Sequence, residues 1–233
     1  MNPAPNPYQA PTADFDAPTG NFGELSIGRC ISESFEATKR YFPLWLWVGL
    51  VGAVLSFLSA ITFIGYFALV PIFAFGMTKF LLNMIDGRAE FADLFAGFSN
   101  YGSVLGRTLM VTLCFFVLIL IGDSIAIAGQ VMKSPAVQTA GSFIYLGFTL
   151  VVLVRFYFAL FFVVDRDMGG IEAMSASWNA TRGKNLKLLG VALVGGLIAI
   201  AGLLALVVGF VFTLMMAYVC YASAYRQVAG PSR

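Results

Sequence analysis

Two stretches of thirty-eight residues, Tyr41 to Thr78 and Leu188 to Tyr225, contain no Asp, Glu, Lys or Arg. A single helix of that length would measure about 57 Å at helical rise, against a bilayer hydrocarbon core of about 30 Å. Each run therefore reads as two membrane-crossing helices folded into a hairpin. Gly65 and Pro71 mark the neighbourhood of the first turn, giving spans at roughly 42–63 and 67–85, and the second turn is expected near Ala205 to Gly209. A third pair lies between them, at about 105–130 and 143–164, interrupted by Asp123 and Arg155 and joined by a loop beginning at Lys133-Ser134-Pro135. The predicted fold is an all-α integral membrane protein of six transmembrane helices.

Composition supports the same class. Of 233 residues, 59% are hydrophobic and 11% charged, with a mean hydropathy of +0.85, whereas soluble chains carry roughly 25% charged residues. A net charge of +2 without a Lys/Arg stripe argues against nucleic acid as a partner. The absence of His excludes histidine-based zinc sites, catalytic triads and proton relays, and no metal site, cofactor or catalytic set is expected. Cys30, Cys114 and Cys220 lie far apart with no CxxC pair and read as small buried hydrophobes.

The first 23 residues hold five prolines, Pro3, Pro5, Pro7, Pro11 and Pro18, and read as a disordered cytoplasmic tail. It is either a solvated leader or a docking motif around "NPYQAP" for a protein partner. No cleavable signal peptide is visible, so the N-terminus is expected to stay on the side of synthesis.

From Glu24 the pattern changes. Ile27, Ile31, Phe35, Thr38 and Phe42 recur at helical spacing, with Arg29, Glu33, Glu36 and Lys39 on the other faces. This predicts an amphipathic helix lying along the membrane surface. Its phrase "ISESFEATKR" (Ile31–Arg40) returns as "MSASWNATR" (Met174–Arg182) at an offset of 143 residues. At that register Ser32 meets Ser175, Ser34 meets Ser177, Ala37 meets Ala180 and Thr38 meets Thr181, while Phe35 faces Trp178 and Lys39 faces Arg182. The segment "FADLFAGFSNYGSVLGR" (Phe91–Arg107) precedes the middle pair and offers Phe91, Phe95, Phe98 and Leu105 as an aromatic face. The chain thus reads as three units, about 24–86, 90–165 and 168–226, each an amphipathic interfacial helix followed by a transmembrane hairpin, with a short tail at 229–233.

Charge placement orients them. With six spans and the N-terminus inside, twelve of the fourteen Lys and Arg residues fall on the cytoplasmic side, Lys133 falls outside and Arg155 lies within a span. That asymmetry predicts both termini in the cytoplasm. The expected interfacial surface is Phe35, Thr38, Lys39, Arg40, Trp178, Thr181, Arg182 and Lys184. It acts either as an anchor for each hairpin or as a platform for anionic lipids or a protein partner. The carboxylates Asp86, Glu90 and Asp93, and the "DRDMGG" segment (Asp165–Gly170), read as turns and helix starts rather than acid–base sites.

Asp123 and Arg155 stand apart because ionisable groups within a span are costly and face a partner or a wet cavity. They are predicted to form an intramembrane ion pair; a polar transport path through them is the competing reading. Taken with "GMTKFLLNMIDGRAEFADLFAGF" and "FYFALFFVVDRDMGGIEAMSASWNATRG", the chain resembles a set of small bacterial inner-membrane proteins. These include the YciC-like proteins and the membrane domain found ahead of some glycerophosphodiester phosphodiesterases. The resemblance covers about Glu24 to Arg226 and rests on the D-L-F-x-G-F loop and the D…EAM-x-x-S phrase. It implies a six-span, multi-pass protein of the bacterial inner membrane and brings no catalytic residues with it. The functional expectation is a non-enzymatic scaffold or accessory to a membrane partner or lipid, with a transporter, channel or lipid-handling protein as the alternative.

Overall fold

A computed structural model describes residues 25–60, 63–131, 135–204 and 206–230. The Pro-rich tail, Lys133-Ser134, Ala205 and the last three residues lie outside that range. Among the described residues the chain is helical: α1 (Ile27–Ala60), α2 (Phe63–Ile85), a 3-10 helix (Phe91–Phe98), α3 (Tyr101–Val131), α4 (Pro135–Phe156), α5 (Ala159–Arg166), α6 (Gly170–Thr181), α7 (Asn185–Leu204) and α8 (Leu206–Ala229). Four segments are long and apolar enough to cross a membrane: Phe67–Ile85, Tyr101–Ser124, Ala136–Arg166 and Asn185–Gly202.

Consecutive apolar helices lie side by side, α1 on α2, α3 on α4 and α7 on α8, and α8 returns to pack along α1. Helix α1 ends at Ala60 and α2 begins at Phe63, ahead of Gly65, while Pro71 sits inside α2. Such a proline removes one intrahelical bond, which a membrane bundle tolerates where neighbours surround the freed carbonyl. Pro71 is itself buried.

The expected surface helix 24–40 is not a separate element. It is the first part of α1, which runs unbroken through Pro43 for 34 residues, about 51 Å at helical rise. In the third unit the amphipathic segment does stand alone, as α6. One aligned position accounts for the difference. Arg40 in α1 meets Gly183 at the same register, and Gly183 adopts the left-handed conformation (φ 78°) that ends a helix. The middle unit differs again: Phe91 to Phe98 wind as a 3-10 helix, and Leu105 belongs to α3.

The core is concentrated at one end of the bundle. Its members include Cys30 and Val48 of α1, Ile72, Phe80 and Met84 of α2, and Leu94 of the 3-10 helix. Phe158 and Phe162 from the α4–α5 region, Val191 of α7, and Met215, Val219 and Tyr225 of α8 complete it. Tyr225 stacks on Phe161 at 5.2 Å between ring centres and takes edge contacts from Phe158 and Phe162. The same end carries Asp86, Asp165 and Arg226, and is called the charged end below. At the far end, Phe57, Phe116, Ile127, Phe143 and Leu193 are exposed.

Backbones approach closest where the 3-10 helix meets α2. A methyl group added at Gly76 would lie 2.0 Å from the Leu94 carbonyl oxygen, and one at Gly97 would lie 2.8 Å from the Ile72 side chain. Glycine at both places is what lets the D-L-F-x-G-F segment seat on α2. Its Asp93 carboxylate accepts the Glu90 backbone N–H at 3.0 Å and so holds the start of the turn.

Candidate functional site

The charged end ties distant parts of the chain together through Arg226. Its Nη1 donates to Asp165 Oδ1 at 2.6 Å, its Nη2 to Asp86 Oδ2 at 2.7 Å and its Nε to Asp86 Oδ1 at 3.1 Å. Tyr225 Oη donates to the other oxygen of Asp165 at 2.9 Å. The side chain of Asp165 is 3% exposed and that of Arg226 10%, so the Asp165 carboxylate is nearly dry and is met by one guanidinium N–H and the Tyr225 hydroxyl, while the two-donor fork of Arg226 grips Asp86. Burial pulls the guanidinium pKa down, but the hydrogen bonds and charges of Asp165 and Asp86 outweigh it and hold Arg226 above its ordinary value. It is charged at any working pH. This network gathers the ends of α2, α5 and α8, and the sequence reading missed it. Asp86 and Asp165 read individually as turn and span-end residues, and nothing in their spacing links them to Arg226, 140 and 61 residues away.

A second polar seam joins α8 to α1. Ser223 Oγ donates to Glu33 at 2.5 Å, Gln227 Nε2 lies 3.2 Å from Ser223 Oγ and 3.3 Å from Cys30 Sγ, and Gln227 Oε1 accepts the Ser26 backbone N–H at 2.9 Å. Cys30, Ser223 and Gln227 are all buried. Arg107 extends the pattern by pairing with the Asp167 carboxylate and donating to its carbonyl at 2.8 Å, which fixes α3 to the turn ahead of α6.

The two copies of the repeated phrase take the same orientation, and it is not the one expected for their threonines. Ser34, Thr38, Ser177 and Thr181 are all fully buried, whereas Phe35 is 50% and Trp178 42% exposed. Thr38 and Thr181 therefore leave the interfacial surface and join the packing face. The large rings turn outward with Lys39, Arg40 and Arg182, which are exposed. In a membrane bundle small residues let helices approach while aromatic ones face lipid and the interface, so the small hydroxyl residues mark the inner face. Thr181 Oγ1 donates to the Ser177 carbonyl at 2.9 Å, and Ser177 Oγ donates to the Arg155 carbonyl at 2.7 Å.

That last bond explains Arg155. The span expected at 143–164 breaks at Tyr157–Phe158, where Phe158 sits at φ −83°, ψ −3°, and α4 ends at Phe156. The freed carbonyl of Arg155 is satisfied by Ser177. Its side chain turns toward α6: the guanidinium lies 4.6 Å from the centre of the Trp178 ring, and Nη1 donates to the Trp178 carbonyl at 3.4 Å. With the Asn185 amide oriented to suit both neighbours, its oxygen accepts from Arg155 Nη2 at 3.2 Å and its nitrogen donates to the Thr181 carbonyl at 3.1 Å. Asp123 sits on α3, half-buried, and is in none of the salt bridges among the described residues. The expected Asp123–Arg155 ion pair is thus not formed. Arg155 is held on the α6 side instead, with its guanidinium stacked on the Trp178 ring.

Two shallow cavities of about 110 and 120 Å³ lie between α4 and α7. Leu150, Val154 and Leu189 border both, and Arg155 and Asn185 border the second. Asp123 borders neither. Among the described residues no cluster of His, Cys, Asp and Glu is placed to hold a metal ion.

Among the described residues the fold is all-helical, with four helices long and apolar enough to cross a membrane and with the ion pairs gathered at one end. Compared with models of known families, with curated proteins and with solved structures, the chain gives no match.

Proposed function

We propose that this chain is a non-enzymatic, polytopic protein of the bacterial inner membrane, with six spans in three hairpins and its charged end on the cytoplasmic side. That end serves as a platform for anionic lipid or for a membrane partner. Four spans are long and apolar by themselves, and α1 and α8 each add an uncharged stretch, Tyr41–Ala60 and Leu206–Tyr225. The distribution of Lys and Arg supports the orientation, and the likeness to YciC-like proteins supports the architecture.

The observation that carries the platform reading is a division among the cations. Arg226, Arg88 and Arg107 are neutralised by Asp86, Asp165 and Asp167. Lys39, Arg40, Arg182, Lys184 and Lys187 have no salt bridge among the described residues. The first group braces the helices; the second is left for an outside anion, and Phe35 and Trp178 stand beside it. Each such cation near an anionic surface contributes about 1 kcal/mol of attraction. No described cavity joins Asp123 to Arg155, so a polar path through them is not proposed.

Two measurements test this. In a background with the native cysteines replaced, Cys placed at Val131 should react with an impermeant thiol reagent on intact cells and Cys placed at Ser99 should not; the reverse pattern overturns the topology. In detergent, phosphatidylglycerol should raise the melting temperature more than phosphatidylcholine does. Neutralising Lys39, Arg40, Arg182 and Lys184 together should shrink the difference, and an unchanged difference would remove the platform.

A further inference from the structure

The groove between α4 and α7 places apolar space beside a cation that has no carboxylate partner among the described residues. We propose that it is a phospholipid site: one acyl chain lies along Leu150, Val154, Leu189 and Ala192, and the anionic phosphate rests on Arg155 with Asn185 beside it. The inference rests on the membrane reading above, but not on the cytoplasmic platform, which is formed by other residues.

Three observations carry it. First, α4 and α7 touch only sparingly, whereas each packs closely on its own hairpin partner. The groove between them runs from Asn185 to Ala192 along α7, about 10 Å at helical rise. That is long enough to take the upper part of a lipid chain. Second, its outer rim is exposed and apolar, with Val151 and Leu186 both facing outward, so the surrounding medium has open access. Third, Arg155 stands at the end of the groove nearest α6. Its Nη1 has only a long 3.4 Å bond to the Trp178 carbonyl, and among the described residues no salt bridge neutralises it.

The charge at that point selects the ligand. A guanidinium presents a planar fork that fits two phosphate oxygens, and its attraction to a phosphate is strong where water is scarce. Trp178, stacked on the guanidinium, belongs to the side chains that settle at headgroup depth. A chain in the groove and a phosphate on Arg155 therefore place one lipid at its natural depth. A neutral ligand would leave the guanidinium unmatched, and a second copy of this protein would need a carboxylate at the same depth.

Trp178 is the reporter. Trp45→Phe with Trp47→Phe leaves it as the single tryptophan of the chain, and Trp45 Nε1 has no hydrogen-bond partner to lose. The protein is placed in phosphatidylcholine vesicles containing about 10 mol % of a brominated lipid, and anionic phosphatidylglycerol should quench Trp178 about twofold more than brominated phosphatidylcholine at the same fraction. Arg155→Gln, which removes the phosphate end, and Ala192→Phe, which fills the chain end, should each abolish the difference. Lys184→Gln with Lys187→Gln should keep it. Equal quenching by the two lipids overturns the proposal, as does a difference that survives both groove variants. Loss of the difference in the lysine variant also overturns it, by assigning the preference to diffuse surface charge, and leaves the platform intact. Native mass spectrometry of the unaltered chain gives a second reading that needs no tryptophan changes. One phosphatidylglycerol should be retained per chain and lost in Arg155→Gln, whereas no retained lipid, or a dimer in its place, refutes the site.

Discussion

Arg226 Nη1 lies 2.6 Å from Asp165 Oδ1, fastening the last turn of α8 to the last turn of α5 at a depth where Asp165 is almost fully buried. Removing one partner of such a pair leaves the other charge uncompensated, a loss of about 3–5 kcal/mol. Arg226→Met and Asp165→Asn should each lower the melting temperature sharply in detergent. The double variant should lose less than the sum of the two. Because the folded pKa of Arg226 is raised above its ordinary value, its contribution is fully present below that ordinary value and is lost only as pH rises through the raised one. A melting profile near neutral pH should therefore show no step from the Arg226 guanidinium.

Gly76 admits no side chain. Its Cβ would meet the Leu94 carbonyl oxygen at 2.0 Å, and backbone cannot step aside as a flexible side chain would. Gly76→Ala should cost about 1–3 kcal/mol or more through overpacking, with a matching fall in yield. Gly102, also helical, has nothing within 4 Å of its added Cβ. Gly102→Ala should be neutral or stabilise by about 0.5–1 kcal/mol. Equal melting temperatures for the two variants would contradict the close seating of the 3-10 helix on α2.

The buried serine of the repeated phrase should matter more than the exposed one. Ser177→Ala removes the 2.7 Å bond to the Arg155 carbonyl and leaves that acceptor unsatisfied at the α4 break, a cost of about 1–3 kcal/mol. Ser32 is exposed and bonds only within its own helix, so Ser32→Ala should change stability by less than about 0.5 kcal/mol. Thermal melts of the two variants, read side by side, check the inward orientation of the hydroxyl face.

Asp123 and Arg155 should behave independently. With Arg155 engaged by Trp178 and Asn185, the effects of Asp123→Asn and Arg155→Gln should add to within about 0.3–0.5 kcal/mol, as for sites that share no partner. A coupling energy well beyond that in a double-mutant cycle would restore the ion pair.

Much of the fold was legible because hydrocarbon leaves few options: an uncharged run twice the bilayer thickness has to turn back. Helices α2 and α7 follow from that alone. The phase of the amphipathic segments was harder to read. In a soluble helix Phe35 and Trp178 would mark the inner face, but in this bundle the small residues Ser34 and Ser177 do. Arg155 reads from the sequence as a group inside a continuous span at about 143–164. The break at Tyr157–Phe158 carries no Pro or Gly to announce it, and it ends α4 beside α6. The Arg226 network was invisible for a different reason: its three members come from the ends of α2, α5 and α8, and only tertiary packing makes them neighbours.

The uneven core makes the bilayer a working part of the molecule. At the charged end, protein packs on protein, and Tyr225, Phe80 and Met215 find all their neighbours within the chain. At the far end, Phe57, Phe116 and Phe143 find them outside it, so acyl tails complete the packing that side chains leave unfinished. Chain length, unsaturation and lateral pressure in the surrounding lipid then act on one half of the bundle and leave the braced half nearly untouched.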